Sequence, residues 1–578
     1  MDHSGHTIGR REFLKHAGLV TPLMLAAPAL LGAGSMSDAP VTRTISARRR
    51  ARDLSADLVI IGGGLGGCAA ALAAARNHLR VILTEETDWI GGQLTQQAVP
   101  PDENAWIETF GGTRSYQTPR TGIRQHYAAH YPLTDKSRAD KFFNPGNCWV
   151  SRLGCEPRVA LAVLTEMLAP YVGTGQVRLL LRHKAVGADT HGNRVDGVRV
   201  VDLDAGHELV LRAPFFADAT EQGDLLPLTG TEYAIGAESR KDTNEPDAKD
   251  TAEPGNLQGF TCCFAMDYLR GEDHVMPRPR DYAFWRDFSV PDAKGAAQRL
   301  LSFEPEAARK IGFDPEARTG FWSYRRIADR DLFAPGFYRG DVTIVNWGQN
   351  DYPFGAICDV SASEAERHIA RAKQLSLSLL YWLQTEAPRP DGGAGWKGLR
   401  LRPDVVGTTD GLAKYPYIRE GRRIRAEFTV LQQHVVTELR MRETGLARDI
   451  VTATKFADSV GIGSYRMDLH TTTTGDHGAY GSTLPFQIPL GALIPQRVEN
   501  LVPACKNLGV THLTNGCYRL HPVEWNVGEA AGALVAFCLA RRKSMRDVRQ
   551  RATLLGEFQQ LLTRDGVPLD WPREAGPI

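Results

Sequence analysis

Residues 57–93 read DLVIIGGGLGGCAAALAAARNHLRVILTEETDWIGGQ, a strand, a glycine turn, a helix, a second strand and an acidic stop. The apolar run Leu58–Ile61 reads as a buried parallel strand, and Gly62, Gly64 and Gly67 follow it in G-x-G-x-x-G order. The first glycine permits the tight turn, the second lets the backbone approach a pyrophosphate, and the third lets the helix predicted over 68–76 pack closely. That helix start, with unpaired N–H groups and partial positive charge, is an anion site. A second strand predicted over 80–84 delivers Glu85, about 20 residues beyond the turn, where a carboxylate accepts from both ribose hydroxyls and repels a 2′-phosphate. A glycine turn alone is weak, but the flanking strands, the alanine-rich helix and Glu85 together mark a dinucleotide site.

Three further segments bear on which dinucleotide is held. Glu85 is followed by the Gly91-Gly92 turn, with Gln93 placed to point toward a bound ring. Residues 176–220 alternate strand patterns and turn chemistry and end in Ala217-Asp218-Ala219-Thr220, with Glu221 next. Late in the chain, a strand-like ENLVPA leads to a helix predicted to begin near Asn526, carrying Gly528, Ala530, Ala531 and Gly532, small residues that allow close approach.

These segments resemble those of FAD-dependent oxidoreductases of the heterodisulfide reductase A-like kind, over 56 to about 540. The likeness is carried by GGGLGG, GGQLTQQAVPPDE, NPGNCWVSRLGCEPRVAL, ADATEQGDLLPL, YIREGRRI, PFQIPLGALIP and NGCYRLHPVEWNVGEAAG. It implies FAD, with Gly92 and Gln93 along the flavin, Asp218 and Thr220 on the strand returning beneath it, and the Gly528, Ala530, Ala531 helix aimed at its carbonyl edge. Thr220-Glu221 departs from the usual Thr-Gly, and the iron–sulfur cysteine runs are absent. Nine cysteines without a C-x-x-C predict neither cluster nor structural metal. Buried free thiols are the favoured reading, with Cys148–Cys155 and Cys505–Cys517 as alternative pairs in an exported chain.

The implied fold class is α/β: a Rossmann-type, glutathione-reductase-like FAD domain assembled from 55–95, 156–236 and 455–540. An inserted α+β substrate domain takes 96–155 and 237–454, and 541–578 is a helical tail. Residues 1–35 are a targeting segment, in which Arg10 and Arg11 followed by Glu12, Phe13, Leu14 and Lys15 resemble a twin-arginine signal. The apolar stretch 17–34 is too short and proline-broken to be a stable membrane span. A linker over 36–54 follows, so the expected location is periplasmic or otherwise exported, through the twin-arginine machinery. A net charge of +1 with no basic, aromatic-interleaved stripe argues against nucleic acid.

The expected activity is hydride transfer from a C–OH or C–N bond of a small-molecule substrate to the flavin, with the electron acceptor left open. No second nucleotide fingerprint supports NAD(P)H. His521, just before the late helix, is the candidate base, and His512 and Asn515 share its loop. Arg466 and His470 are further candidates, Arg422 and Arg423 suit a carboxylate clamp, and Trp106, Tyr116, Trp149 and Trp347 an aromatic wall. The alternatives are a flavoprotein performing a net non-redox step, or a non-catalytic binding protein on the same fold.

Overall fold

A computed structural model describes residues 52–291, 296–303, 311–476, 479–572 and 575–576. The expected signal segment and all but the last three linker residues lie outside them. Those three already belong to the strand β1, Arg52–Ser55.

The nucleotide fold is a five-stranded parallel sheet. Its strands are β2 (Leu58–Ile61), β3 (Val81–Glu85), β4 (Val177–Leu181), β8 (Phe215–Asp218) and β13 (Leu501–Pro503), in the order β13-β8-β2-β3-β4. Every pairing is parallel. Its central strands are continuous apolar runs because both faces are covered, the usual signature of a parallel sheet. The sheet draws its strands from 58–85, 177–218 and 501–503, widely separated along the chain. Beside it, β1 joins the meander β5 (His183–His191), β6 (Arg194–Asp202) and β7 (Glu208–Arg212) in the order β1-β7-β6-β5.

The helix α1 spans Leu65–Arg76 and is buried throughout except at its last residue. It starts three residues earlier than the sequence predicts, because Gly66 and Gly67 lie inside the first turn. A Cβ at Gly67 would collide with the Gly62 carbonyl, so the third glycine sets the helix against the turn. The helix α2, Pro157–Gly173, enters with proline at its first position, where the missing N–H costs nothing.

The inserted chain contributes a four-stranded antiparallel sheet, β10 (Arg326–Ala328), β11 (Val342–Val345), β9 (Phe264–Tyr268) and β12 (Leu399–Leu401), in that order. The long helix α3, Ala362–Thr385, is capped by the Ser361 hydroxyl, which accepts from the Glu364 N–H. It packs with this sheet around Trp285, Trp322 and Trp347 in a core of its own.

Two late helices close the fold: α4, His512–Tyr518, and α5, His521–Arg541. α5 begins before Asn526, because Pro522 is tolerated in a first turn and the helix runs back through it to His521. Among the described residues α5 alone is long and apolar enough to cross a membrane, yet it lies buried against α1. Short helices Met545–Gln550 and Ala552–Arg564 form the tail.

Candidate active site

The carboxyl ends of β2, β3 and β8 open onto a cleft lined by Gly62, Gly64, Glu85, Thr220, Glu221 and Tyr415. Gly62 has φ +101°, and a Cβ there would run into the Ala219 carbonyl, so only glycine serves. No side chain caps α1 at Gly64, and its first N–H groups have no partner within the helix. Glu85 accepts from the Gly63 N–H at 2.9 Å and the Thr87 N–H at 2.7 Å. Burial pushes its carboxyl up to about 7. A helix start without a side-chain cap at its N-cap residue, a backbone turn that tolerates no side chain and a fixed carboxylate beyond it fit a dinucleotide's phosphates and ribose.

Beside this cleft stands a buried cluster that the sequence did not suggest. The Lys506 ammonium pairs with Glu221 and lies 3.9 Å from Glu524. Glu524 accepts from the Gly66 N–H of α1 at 3.0 Å. Gln93 donates to the Arg519 carbonyl at 3.1 Å and to Glu524. A Cβ on Gly92, itself at φ +53°, would lie 2.5 Å from a Glu221 carboxylate oxygen, one with no hydrogen-bond partner among the described residues.

From Gln93 the polar network runs into the inserted chain. Its amide oxygen lies 3.5 Å from the Tyr417 hydroxyl, which accepts from Arg519 at 3.2 Å. Arg519 donates to Asp468 at 3.3 Å, and His470 bridges Asp468 (3.5 Å) and Asp351 (2.5 Å). Arg419 pairs with Asp351 at 2.9 Å and sits over the Tyr417 ring, while Arg325 grips Asp102 with two bonds of 2.8 and 3.2 Å. The Nε atoms of Arg325, Arg419 and Arg519 have no partner among the described residues. Burial raises the Tyr417 phenol pKa, so it stays protonated and able to donate. Burial alone would raise Asp468 as well, but His470 and Arg519 prevail and hold it well below the carboxylate range.

A protein-family model described as FAD dependent oxidoreductase matches residues 57–562. This chain belongs to that family. FAD is its cofactor, and it is an enzyme. No curated protein matches it. Among solved structures, L-proline dehydrogenase from P. horikoshii is 18% identical, over 32% of this chain and 24% of its own, with a TM-score of 0.17. The chain thus spans about a quarter of that protein. The myxobacterial chondrochloren halogenase CndH is 14% identical over 88% and 80%, TM-score 0.29. FrdA of E. coli quinol fumarate reductase is 11% identical over 89% and 74%, TM-score 0.30.

Within this FAD-dependent oxidoreductase, several expected residues do other work. His521 is fully buried; its Nδ1 accepts from the Asp102 N–H and its Nε2 donates to the Val99 carbonyl, both at 3.2 Å. Burial lowers its pKa to about 4. Both nitrogens are committed to backbone, so His521 pins the 99–102 loop. Asn515 donates to the Arg419 carbonyl at 2.9 Å and holds that segment in place. The Asp218 carboxylate is turned to its own chain, accepting from the Thr220 and Leu225 N–H groups at 3.0 Å, while burial raises it to about 7. Gly528 and Gly532 meet the α1 backbone at Gly66 and Ala70, so their smallness serves helix packing.

Arg422 is spent on Asp224 and Asp359, and Arg423 on Glu238 and Glu420. The expected aromatic wall does not assemble: Trp106 packs on Trp571, Tyr116 on Trp525, Trp149 on Tyr324 and Trp347 in the second core. All nine cysteines are buried free thiols.

His512 lies 2.9 Å from both Glu420 oxygens, and Arg423 completes the triad. Burial opposes charge on Glu420, but His512 and Arg423 outweigh it and bring its pKa from 4.5 down to about 2. A carboxylate depressed on folding adds stability above its unfolded value, and that contribution is lost as pH falls through the folded value. The urea midpoint should therefore drop between about pH 4.5 and 2 more steeply in the native protein than in Glu420→Gln.

Proposed function

We propose that this enzyme is a dehydrogenase or oxidase that removes a hydride from a C–OH or C–N bond of a small organic molecule. The observation that carries this reading is the buried network linking Gln93 beside the dinucleotide cleft to Tyr417, Arg519, Asp468 and His470. FAD, when bound, supplies two-electron acceptance. The chain's residues then have four tasks: Gly62, Gly64, Glu85 and Thr220 bind the dinucleotide, Arg325 and Arg419 orient and charge-balance the substrate side, Tyr417, which stays protonated, donates a hydrogen bond to the substrate's oxygen or nitrogen, and His470 takes the proton released there. Residues 96–155 and 237–454 form the substrate-facing part in this reading.

The purified protein should be yellow and should bleach anaerobically with its substrate; a panel of alcohols and amines decides which bond is oxidised. Colourless protein that cannot take up FAD would refute the reading. Tyr417→Phe should retain FAD and thermal stability, yet reduce flavin roughly 10-fold more slowly, the scale of one lost hydrogen bond. Unchanged reduction rates would remove Tyr417 from the mechanism.

We further propose kinship with heterodisulfide reductase A-like flavoproteins without their clusters, supported by the quoted motifs and by cysteines that are scattered and buried. The Arg10-Arg11 segment supports export of the folded, FAD-loaded protein by the twin-arginine route. Replacing both arginines with lysine should retain the protein in the cytoplasm, which fractionation of cells would reveal.

A further inference from the structure

A cavity of about 610 Å³, separate from the glycine-turn cleft, is bounded on one side by His470 and His512. Its apolar wall includes Leu439, Met467, Leu469 and Leu513. Its polar wall carries five carboxylates, those of Glu238, Glu245, Asp247, Glu438 and Asp476, against Lys249, Arg442 and the two imidazoles. The cations are largely committed: Lys249 lies 2.5 Å from Asp476, and His512 faces Glu420. Among the acids, Glu238 is held by Arg423 and Glu438 by Arg448.

Glu245 differs from them. Only 1% exposed, it accepts from the Gln432 N–H and the Thr511 hydroxyl, both at 2.8 Å, through Oε1 alone. Its Oε2 has no partner among the described residues. A buried carboxylate oxygen left unpaired is costly, and such groups mark places where something else donates. Burial pushes this carboxyl up to about 7, as expected of an acid without a counter-ion.

We propose that this cavity binds an aliphatic amine, its ammonium group donating to Glu245 Oε2 and its alkyl stem lying against Met467, Leu469 and Leu513. An ammonium ion supplies the missing donor and charge together; an alcohol supplies only the donor, and a carboxylate neither. The cavity wall at His470 connects through Asp468 and Arg519 to Gln93. The inference deepens the oxidoreductase reading and rests on it for the amine's status as substrate.

Calorimetric titration of the oxidised, FAD-loaded protein with n-butylamine, n-butanol and butyrate at about pH 8, where Glu245 is mostly ionised, tests it. Butylamine should bind saturably, with the alcohol and the acid about tenfold weaker or worse, the value of one charged hydrogen bond. Glu245→Gln keeps the Oε1 acceptor and replaces Oε2 by a donor, so amine affinity should fall about tenfold with the flavin spectrum unchanged. Leu439→Trp, which fills the cavity and leaves Glu245 in place, should abolish binding. Equal binding of butanol or butyrate, or full amine affinity in either variant, would overturn the proposal. Failure of amines to bleach the flavin would count against the oxidoreductase reading while leaving the isotherms standing.

Discussion

Replacing Gly528 with alanine is expected to destabilise the protein whether or not FAD is bound. The added Cβ would collide with the Gly66 carbonyl of α1, and one turn on, Gly532 meets Ala70 in the same way. Both partners are backbone, so no rotamer change relieves the contact, and α5 must move away from α1. Overpacking of this kind costs about 1–3 kcal/mol, more where nothing can shift. A displaced α5 also carries Glu524 and its bond to the Gly66 N–H with it. The thermal midpoint of both FAD-free and FAD-loaded protein should fall by about 1–3 °C, and by more where the helices cannot separate. A variant that lost FAD affinity while its FAD-free midpoint stayed put would return the glycine to a role at the cofactor.

That prediction marks where the sequence can be read and where it cannot. The strand–turn–helix–strand unit is legible because each residue type has one cheap solution: φ +101° at Gly62 needs glycine, and LVII buried on both faces needs a central parallel strand. Glu85 follows from its place at the end of β3. The small residues of α5 signal a close approach but not its partner, since a glycine looks the same against a cofactor or a helix. His521 is next to a chemically suggestive loop, yet its two backbone bonds come from residues 99 and 102, far off in sequence. Tyr417, Arg325, Asp468 and Lys506 carry no local signal for the same reason, being assembled from remote segments. The one available signal is Glu221, standing where the resemblance leads one to expect glycine.

That glutamate leads to the second large effect: Lys506→Met should empty the FAD site. Lys506 is buried between Glu221 and Glu524, the only ammonium group within reach of either carboxylate among the described ion pairs. Without it two carboxylates face each other out of water, one of them seated on the first turn of α1. Removing one partner of such a set costs about 3–5 kcal/mol, because the charge left behind has neither water nor counter-ion. The same uncompensated charge stands beside Gly64 and Gly92, on the approach a diphosphate must use. Stability and FAD affinity should therefore fall together, and flavin absorbance per protein should drop to a small fraction of the wild type. Adding Glu221→Gln to Lys506→Met removes one of the opposed charges and should restore most of both. Rescue of this kind separates electrostatics from packing, because the double variant has lost the lysine stem as completely as the single one. If Lys506→Met alone kept its flavin and its thermal midpoint, the cluster would carry no more net charge than in the wild type, which would require one of the two carboxylates to take up a proton in the variant. Burial does raise the Glu524 pKa, so the pH dependence of FAD release from the single variant decides between these outcomes. Release that grows as pH rises is the signature of the opposed charges.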